Sequence, residues 1–243
     1  MTTTHLLLDI EGTTCPISFV ARVLFPYAES ALPQYLKQHQ ADPEIQDLIC
    51  EAWKEWRSDP DPKSQQLLNS ACNDLNAIQG YFQHLIKVDR KSTALKDLQG
   101  RIWKQGYTSG EITSELFPEA ISALQALKQT GLMLGVYSSG SINAQKLLYQ
   151  YTNAGDQRNL FSFWFDTRTG PKKEPQSYRS IADQLNTPIQ KITFISDSQS
   201  ECNAARQAGM QTLFSLRADN PDQDPGEHTV IKSLVQIMAA ISV

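Results

Sequence analysis

The chain of 243 residues carries a formal net charge of −4, and 40% of its residues are hydrophobic and 20% charged. These proportions are typical of a globular protein with a buried core, and the length suits one large domain or a core with an insertion. The acidic balance argues against electrostatic binding of nucleic acid or of an anionic membrane, because both require a basic face. No uninterrupted apolar stretch approaches the ~18 residues of a membrane span.

Short apolar runs of strand length alternate with helical patterns along the first and last parts of the chain. The helical patterns occupy residues 141–151, 176–185 and 201–208. The predicted strands are residues 5–10, 132–137, 161–165, 192–195 and 212–216. Near-continuous apolar strands that alternate with helices indicate a parallel sheet covered on both faces. We therefore predict an α/β fold with a doubly wound parallel sheet.

The segment from about residue 17 to residue 110 has a different pattern. Apolar residues recur there at helical spacing, between Ile45 and Trp56 and again between Leu67 and Ile86, and strand-like runs are nearly absent. The simplest interpretation is a helical domain of residues 16–110 inserted directly after the first strand. Residues 1–15 and 111–243 would then form the α/β core domain.

Chemically reactive side chains follow four of the predicted strands. In an open parallel sheet, ligands bind beyond the carboxyl ends of the strands, so these side chains are expected to meet at one edge. They are Asp9 and Glu11 after the first strand, Ser138 and Ser139 after the second, Lys172 after the third, and Asp197 and Glu201 after the fourth.

This set of side chains suits phosphoryl transfer to a carboxylate. Asp9 would attack phosphorus, and Glu11, two residues later, would act as an acid or base on the leaving group. Hydroxyl and backbone N–H groups would hold the phosphate, and Lys172 would offset its negative charge. A hard cation with oxygen ligands, most naturally Mg²⁺, would keep Asp9 and the phosphate from repelling each other.

Each of these residues also has an ordinary structural interpretation. A carboxylate after a buried strand often caps the following turn, Ser139 or Ser141 could cap a helix, and Lys172 could be a solvated loop residue. Asp197 followed by Glu201 is also a common start of a helix. The joint order of these groups at the strand ends favours the functional interpretation.

At these residues the sequence resembles the haloacid dehalogenase-like hydrolases. The four motifs of that superfamily are matched by Asp9 with residues 11–13, by Ser138 and Ser139, by Lys172, and by Asp197 with Glu201. Glu11 departs from the commonest pattern, in which a second aspartate lies two residues after the nucleophile. The carboxylate of Glu11 reaches one methylene further, which puts its usual acid/base role in question.

The departure at Glu11 points to a narrower resemblance. Residues 9–14 (DIEGTT), 137–141 (YSSGS) and 170–174 (GPKKE) are similar to the enolase-phosphatases of methionine salvage, and the resemblance covers essentially the whole chain. It implies enolisation of 2,3-diketo-5-methylthiopentyl-1-phosphate followed by removal of the phosphate. The product is an acireductone, and the family binds one Mg²⁺ per monomer.

The resemblance also implies roles for the catalytic residues. Asp9 is expected to be the nucleophile and a metal ligand, with Asp197 as a second ligand. Glu11 is expected to bind the metal through its backbone carbonyl, and its side chain is a candidate acid or base. Glu201 is expected to support the water shell of the metal.

Substrate recognition is implied in the same way. Ser138 and Ser139 are expected to bind substrate, one of them through the phosphate, and Lys172 to bind the phosphate and steady the nucleophile. Lys173 is the rival of Lys172, although its spacing from Gly170 fits the third motif less well. The helical insertion would be a cap that closes over the site, excludes water and recognises the methylthio end of the substrate.

Two alternatives to this function stay open. The chain could be an ordinary phosphomonoesterase of the same superfamily that acts on another small phosphate ester. It could also be a binding module that keeps the fold without the chemistry, although such a module should lack Asp9 or Lys172 and both are present. The family resemblance suggests a monomer.

The cysteines and the first residues bear on the compartment. Cys15, Cys50, Cys72 and Cys202 are scattered without the spacing of a metal or redox motif, so a reducing compartment fits better than a disulfide framework. The first residues lack a basic segment followed by a long apolar run, so a secretory signal is not expected. We therefore predict a cytoplasmic protein.

Overall fold

The structure, a computed structural model, describes residues 2–70, 72, 74–88, 90 and 92–241. The chain forms two compact units, one of Met1–Val20 with Thr113–Val243 and the other of Ala21–Ile112.

The strands are β1 (His5–Leu8), β2 (Met133–Tyr137), β3 (Phe163–Phe165), β4 (Ile192–Ser196), β5 (Gln211–Ser215) and β6 (Thr229–Ile231). The helices are α1 (Ile17–Phe19), which a π-helical turn (Val20–Leu24) joins to α2 (Phe25–His39), then α3 (Pro43–Arg57), α4 (Pro62–Asn69), α5 (Leu75–Lys87), α6 (Thr93–Ser109), α7 (Ala120–Gln129), α8 (Ile142–Gln150), α9 (Pro175–Gln184), α10 (Gln199–Ala208) and α11 (Ile237–Ala240), with 3₁₀ turns at Arg158–Leu160, Ile189–Lys191 and Leu234–Gln236.

The first unit is built on a parallel sheet. Within the described residues the strand order is β3-β2-β1-β4-β5-β6, and each neighbouring pair is parallel. The α/β fold with a parallel sheet is thus confirmed, and β1 to β5 lie within or close to the predicted runs. Strand β6 was missed because it has three residues, of which two are exposed, so it has little apolar signal.

The centre of this sheet determines where the loops emerge. Leu8, the last residue of β1, pairs with Val136 of β2 on one side and with Ile195 of β4 on the other. The strand order reverses direction at β1 and β4, which is where doubly wound sheets bind ligands. The loops that follow β1, β2 and β4 therefore leave the sheet side by side.

The second unit is helical, and polar side chains mark where its helices begin. Asp42, Asp61, Asp74 and Ser92 each accept a hydrogen bond from a backbone N–H in the first turn of α3, α4, α5 and α6, respectively. Such capping satisfies backbone donors that have no partner inside the helix. Proline follows the cap directly in α3 and α4, where its missing N–H is not needed.

Apolar side chains from these helices form the core of the helical unit. Leu32, Ile45, Trp56 and Phe82 are almost fully buried there. The ring of Trp56 also stacks on that of Tyr81, with the ring centroids 4.6 Å apart. The helical pattern from residue 45 to residue 56 is confirmed as α3, whereas the pattern from residue 67 to residue 86 is divided between α4 and α5. In the described part of the chain, no helix has both the length and the apolar character required to cross a membrane.

Candidate active site

Lys172 lies at the centre of a buried cluster beyond the carboxyl ends of β1 and β4. Its ammonium Nζ is 2.8 Å from Asp9 Oδ1 and 2.5 Å from Glu201 Oε2. The hydroxyl of Ser196, the last residue of β4, is 3.3 Å from Asp9 Oδ2 and 3.0 Å from Glu201 Oε2. The ammonium therefore bridges the two carboxylates, and the hydroxyl of Ser196 lies within reach of both but donates its single proton to one of them at a time.

The charges within this cluster shift the pKa values of its members. Burial alone would lower the pKa of Lys172, but the charges of Asp9 and Glu201 outweigh burial and raise the pKa above its ordinary value. Burial and the charge of Asp9 raise the pKa of Glu201, and Lys172 opposes that shift. Lys172 is consequently a cation throughout the neutral pH range.

The pKa of the Asp197 carboxyl group is strongly shifted by its surroundings. It is 8% exposed, and burial together with the charge of Asp9 raises its pKa to about 8. Two carboxylates in a desolvated site repel each other unless a cation separates them. This part of the site therefore has the electrostatic character of a cation-binding site.

The donor set can be compared with the requirements of a divalent cation. Among the described residues, no three His, Cys, Asp or Glu side chains form a group that could hold a metal ion. Asp9 and Asp197 would thus act with a backbone carbonyl rather than within a cage of side chains. Mg²⁺ is usually bound in this way, because it keeps several waters and needs only one or two carboxylates. The residues present fit a divalent cation that is held by oxygen ligands.

The loop after β1 has a backbone conformation that requires glycine. Gly12 has φ of +68°, and a Cβ atom there would lie 2.3 Å from Asp197 Oδ2. The backbone N–H groups of Thr13, Thr14 and Cys15 all point to the carbonyl of Ile10, which forms a tight turn. This turn brings the backbone of the loop against Asp197.

The loop after β2 is held by a buried glutamine. Gln145 Nε2 donates to the carbonyls of Gly140 and Phe165, each at 2.8 Å. Ser138 is 4% exposed and its Oγ accepts from the N–H of Gly140, whereas Ser139 is half-buried. Ser141 Oγ accepts from a backbone N–H in the first turn of α8, so the capping interpretation holds for this residue.

The loop after β3 is fixed by side chains that bond to its carbonyl groups. Tyr178 Oη donates to the carbonyl of Lys172 at 2.7 Å, and Tyr137 Oη donates to that of Gly170 at 2.8 Å. Lys172 is 8% exposed, and the neighbouring Lys173 is exposed. The structure thus directs Lys172 towards Asp9 and leaves its rival Lys173 at the surface.

Three residues of this region did not stand out in the sequence. Ser196 directly precedes Asp197, and Ser215 ends β5. A search for polar side chains at the carboxyl ends of strands would therefore have selected both. Asn220 lies in a polar loop, and only its contacts reveal that it reaches Gly12: its Nδ2 is 3.1 Å from the Gly12 carbonyl. Glu11, by contrast, was selected and is half-buried in the loop after β1.

Comparisons with known proteins agree with this architecture. A family model described as haloacid dehalogenase-like hydrolase matches residues 3–209. Enolase-phosphatase E1 of Prochlorococcus marinus (strain MIT 9313) is 57% identical, and the match covers 95% of this chain and 96% of that protein. The protein of the same name from Parasynechococcus marenigrum (strain WH8102) is 56% identical, with 96% and 97% coverage.

A solved structure shows the same similarity. The crystal structure of the UTR4 protein of Saccharomyces cerevisiae matches with a TM-score of 0.73 and 32% sequence identity, over 96% of this chain and 98% of that chain. The family model covers every strand-end motif described above up to Glu201, and the two curated relatives match 95% and 96% of the chain. The chain therefore belongs to the haloacid dehalogenase-like hydrolases and, within them, to the enolase-phosphatase E1 family.

Proposed function

We propose that this chain is a bifunctional enolase-phosphatase of methionine salvage. It enolises 2,3-diketo-5-methylthiopentyl-1-phosphate and then removes the phosphate, which yields the acireductone 1,2-dihydroxy-3-keto-5-methylthiopentene. The observation that carries the proposal is the buried pair of Asp9 and Lys172 at the carboxyl end of β1. The chain is 57% and 56% identical in sequence to two enolase-phosphatases over nearly its whole length. This similarity favours the proposed function over that of an ordinary phosphomonoesterase or an inactive binding module.

The phosphatase step is proposed to use Asp9 as its nucleophile. A carboxylate oxygen of Asp9 attacks phosphorus, the bond from phosphorus to the substrate oxygen breaks, and that oxygen leaves with a proton. Glu11 is the candidate donor of this proton. Water then attacks the aspartyl phosphate and gives a proton back to Glu11, the bond between phosphorus and the Asp9 oxygen breaks, and inorganic phosphate and the Asp9 carboxylate are released.

Positively charged and hydrogen-bonding groups are proposed to hold the phosphate. Lys172 offsets the charge that develops on phosphorus, while Ser138 and Ser139 bind the substrate from the loop after β2. Glu201 was expected to support the water shell of a metal. Its contacts with Lys172 and Ser196 favour a second role, in which Glu201 keeps the ammonium next to Asp9.

Phosphatases of this superfamily generally depend on a divalent metal, and we propose Mg²⁺ as the metal here. Asp9, Asp197 and the backbone carbonyl of Glu11 would hold it. When bound, it supplies positive charge between the nucleophile and the phosphate and polarises the substrate ketone. The raised pKa of Asp197 supports this assignment, because burial and the charge of Asp9 disfavour its charged form, and a bound cation would stabilise that form.

Other parts of the proposal concern the whole protein. The helical unit of Ala21–Ile112 is proposed to serve as the cap, because it is a separately packed insertion that follows the first catalytic loop. The protein is proposed to act as a monomer in the cytoplasm. The free thiols of Cys15, Cys50, Cys72 and Cys202 support a reducing compartment.

The proposal is tested with the full chain, the diketone phosphate and excess Mg²⁺. Ultraviolet absorbance of the conjugated enol and release of inorganic phosphate are followed together, and p-nitrophenyl phosphate serves as a simple ester for comparison. We expect enol formation and one phosphate per substrate molecule, both dependent on Mg²⁺. Turnover of the simple ester without any turnover of the diketone phosphate would identify an ordinary phosphomonoesterase instead.

A further inference from the structure

The backbone of Gly12 is held by hydrogen bonds at both of its polar groups. Its carbonyl accepts from Ser215 Oγ at 2.9 Å and from Asn220 Nδ2 at 3.1 Å, and its N–H donates to the carbonyl of Cys15 at 2.8 Å. A carbonyl oxygen has two lone pairs, so these two donors occupy its full capacity. The loop after β5 thus reaches across to the loop after β1.

The two donors are themselves buried and fixed. Ser215 is 1% exposed and Asn220 is 5% exposed. The Nδ2 group of Asn220 also donates to the carbonyl of Ser215 at 3.0 Å, and Gln223 Nε2 donates to the carbonyl of Asn220 at 2.7 Å. A buried amide without hydrogen-bond partners raises the free energy of the folded state. This arrangement therefore favours a single orientation of the Asn220 side chain.

The hydrogen bond from the Gly12 N–H to the carbonyl of Cys15 determines the direction of the preceding peptide group. In a trans peptide the N–H and the C=O point in opposite directions. The N–H of Gly12 points to Cys15, so the carbonyl of Glu11 points away from Cys15. The α-carbon of Gly12 lies close to the carboxylate of Asp197, as the 2.3 Å approach of a built Cβ atom demonstrates.

We propose that Ser215 and Asn220 are positioning residues for the divalent cation, which they never touch. They hold the peptide group that follows Gly12 and so restrict rotation at the Gly12 α-carbon. This restriction keeps the preceding peptide group, which carries the Glu11 carbonyl, oriented for the cation bound by Asp9 and Asp197. This inference rests on the proposed function, in which the Glu11 carbonyl is a ligand. Glycine resists rotation at its α-carbon less than other residues, so hydrogen bonds from Ser215 and Asn220 add to the restraint that the loop's own hydrogen bonds provide.

The test measures the affinity of the full chain for Mg²⁺ alone, by isothermal titration calorimetry. Asn220→Ala and Ser215→Ala are compared with the unmodified chain and with the double variant. Loss of groups that orient metal ligands typically weakens metal binding by about 10- to 100-fold. We expect about 10-fold weaker binding in each single variant and a larger loss in the double variant, because either donor alone partly holds the carbonyl.

Gln157→Ala is the matched control. Gln157 is also buried in the first unit, and its Nε2 donates to the carbonyl of Ala154 at 2.9 Å, so its removal costs a similar hydrogen bond in another loop. Thermal unfolding without metal reports the stability of every variant. Ser215→Ala removes a single oxygen atom and keeps the test valid if Asn220→Ala does not fold.

The outcomes separate this inference from the proposed function. Unchanged Mg²⁺ affinity in folded Ser215→Ala and in any folded Asn220→Ala would overturn the positioning role, and so would an equal loss of affinity in Gln157→Ala. If the unmodified chain binds Mg²⁺ but does not turn over the diketone phosphate, the proposed function fails. The positioning role is then still supported by selective loss of Mg²⁺ affinity in the Ser215 and Asn220 variants.

Discussion

Lys172 Nζ lies 2.8 Å from Asp9 Oδ1, and both side chains are almost fully buried. The same ammonium contacts Glu201, so one cation faces two carboxylates, with the carboxyl group of Asp197 close enough to respond to Asp9. The cluster has more acidic groups than cations, which suits the binding of a further cation beside the nucleophile.

The nucleophile is tested by Asp9→Asn. The amide has nearly the same shape but is a very poor nucleophile, so phosphate release should fall by at least about 10³-fold. Asparagine keeps a neutral oxygen ligand, so the variant should still form the enol slowly and then stall. The measurements are enol absorbance and phosphate release on the diketone phosphate with excess Mg²⁺, and circular dichroism confirms the fold.

Asp197→Asn provides the contrast for this experiment, since it would weaken the proposed metal site on which both proposed steps depend. We expect it to impair enol formation as well as phosphate release. If Asp9→Asn bound substrate and Mg²⁺ normally but formed no enol, Asp9 would also take part in proton transfer. The two steps would then not be separable.

Two adjacent lysines allow a matched test of the phosphate-binding cation. Lys172→Ala should lower the rate of phosphate release by on the order of 10²–10³-fold, because it removes the only charge shown to contact Asp9 among the described residues. Lys173→Ala should have little effect, because Lys173 is exposed. Steady-state rates with Mg²⁺ in excess measure both variants. Equal impairment, or the reverse order, would contradict the assignment of the third motif.

Gly12→Ala tests the close approach of the first loop to Asp197. The new Cβ would meet Asp197 Oδ2 at 2.3 Å, and the φ of +68° strains any side chain by roughly 1–2 kcal/mol. We expect lower stability and a loss of about 10²-fold or more in phosphate release. Thermal unfolding and steady-state kinetics measure the two effects.

Gly155→Ala is the control for backbone strain. Gly155 has φ of +84° in the same unit, and a Cβ atom there would meet nothing within 4 Å. Its substitution should reduce stability through backbone strain alone, by roughly 1–2 kcal/mol, without loss of activity. Similar activities of the two variants would show that the contact with Asp197 does not affect catalysis.

The pH dependence of stability is predicted from Glu119. Burial alone would raise its pKa, but hydrogen bonds and the charge of Arg217 outweigh burial and hold the pKa below the ordinary value of 4.5. Its Oε1 is 2.8 Å from Arg217 Nη2 and 3.1 Å from Ser233 Oγ. A depressed pKa stabilises the folded state above the ordinary pKa, and this stabilisation disappears as pH falls through the folded pKa.

Glu119→Gln should therefore lower the free energy of unfolding by about 1–2 kcal/mol at pH 7 and by much less near pH 3. Urea unfolding at several pH values measures the difference from the unmodified chain. Glu115→Gln is the control at an exposed position and should cause no comparable change. A constant difference across the pH range would rule out the ionic contribution of Glu119.

Several features of the fold and the site could be predicted because they depend on local sequence. The apolar runs predict β1 to β5, since burial of both faces of a parallel sheet demands continuous apolar residues. Asp9, Ser138, Lys172 and Asp197 could then be selected because parallel strands present their carboxyl ends at one edge. Strand β6 escaped because a short, exposed strand has no such signal.

Tertiary structure decided which of these groups contact one another. Local sequence was enough to predict β1 to β5, the inserted helical segment and the reactive residues at the strand ends. Only the folded chain pairs Lys172 with Asp9 and Glu201, and only there does Asn220 reach the carbonyl of Gly12. The physical reason is that strand and helix patterns follow from periodic burial along the chain. Side-chain contacts between loops depend instead on the path of each loop in three dimensions, for which the sequence has no periodic signal.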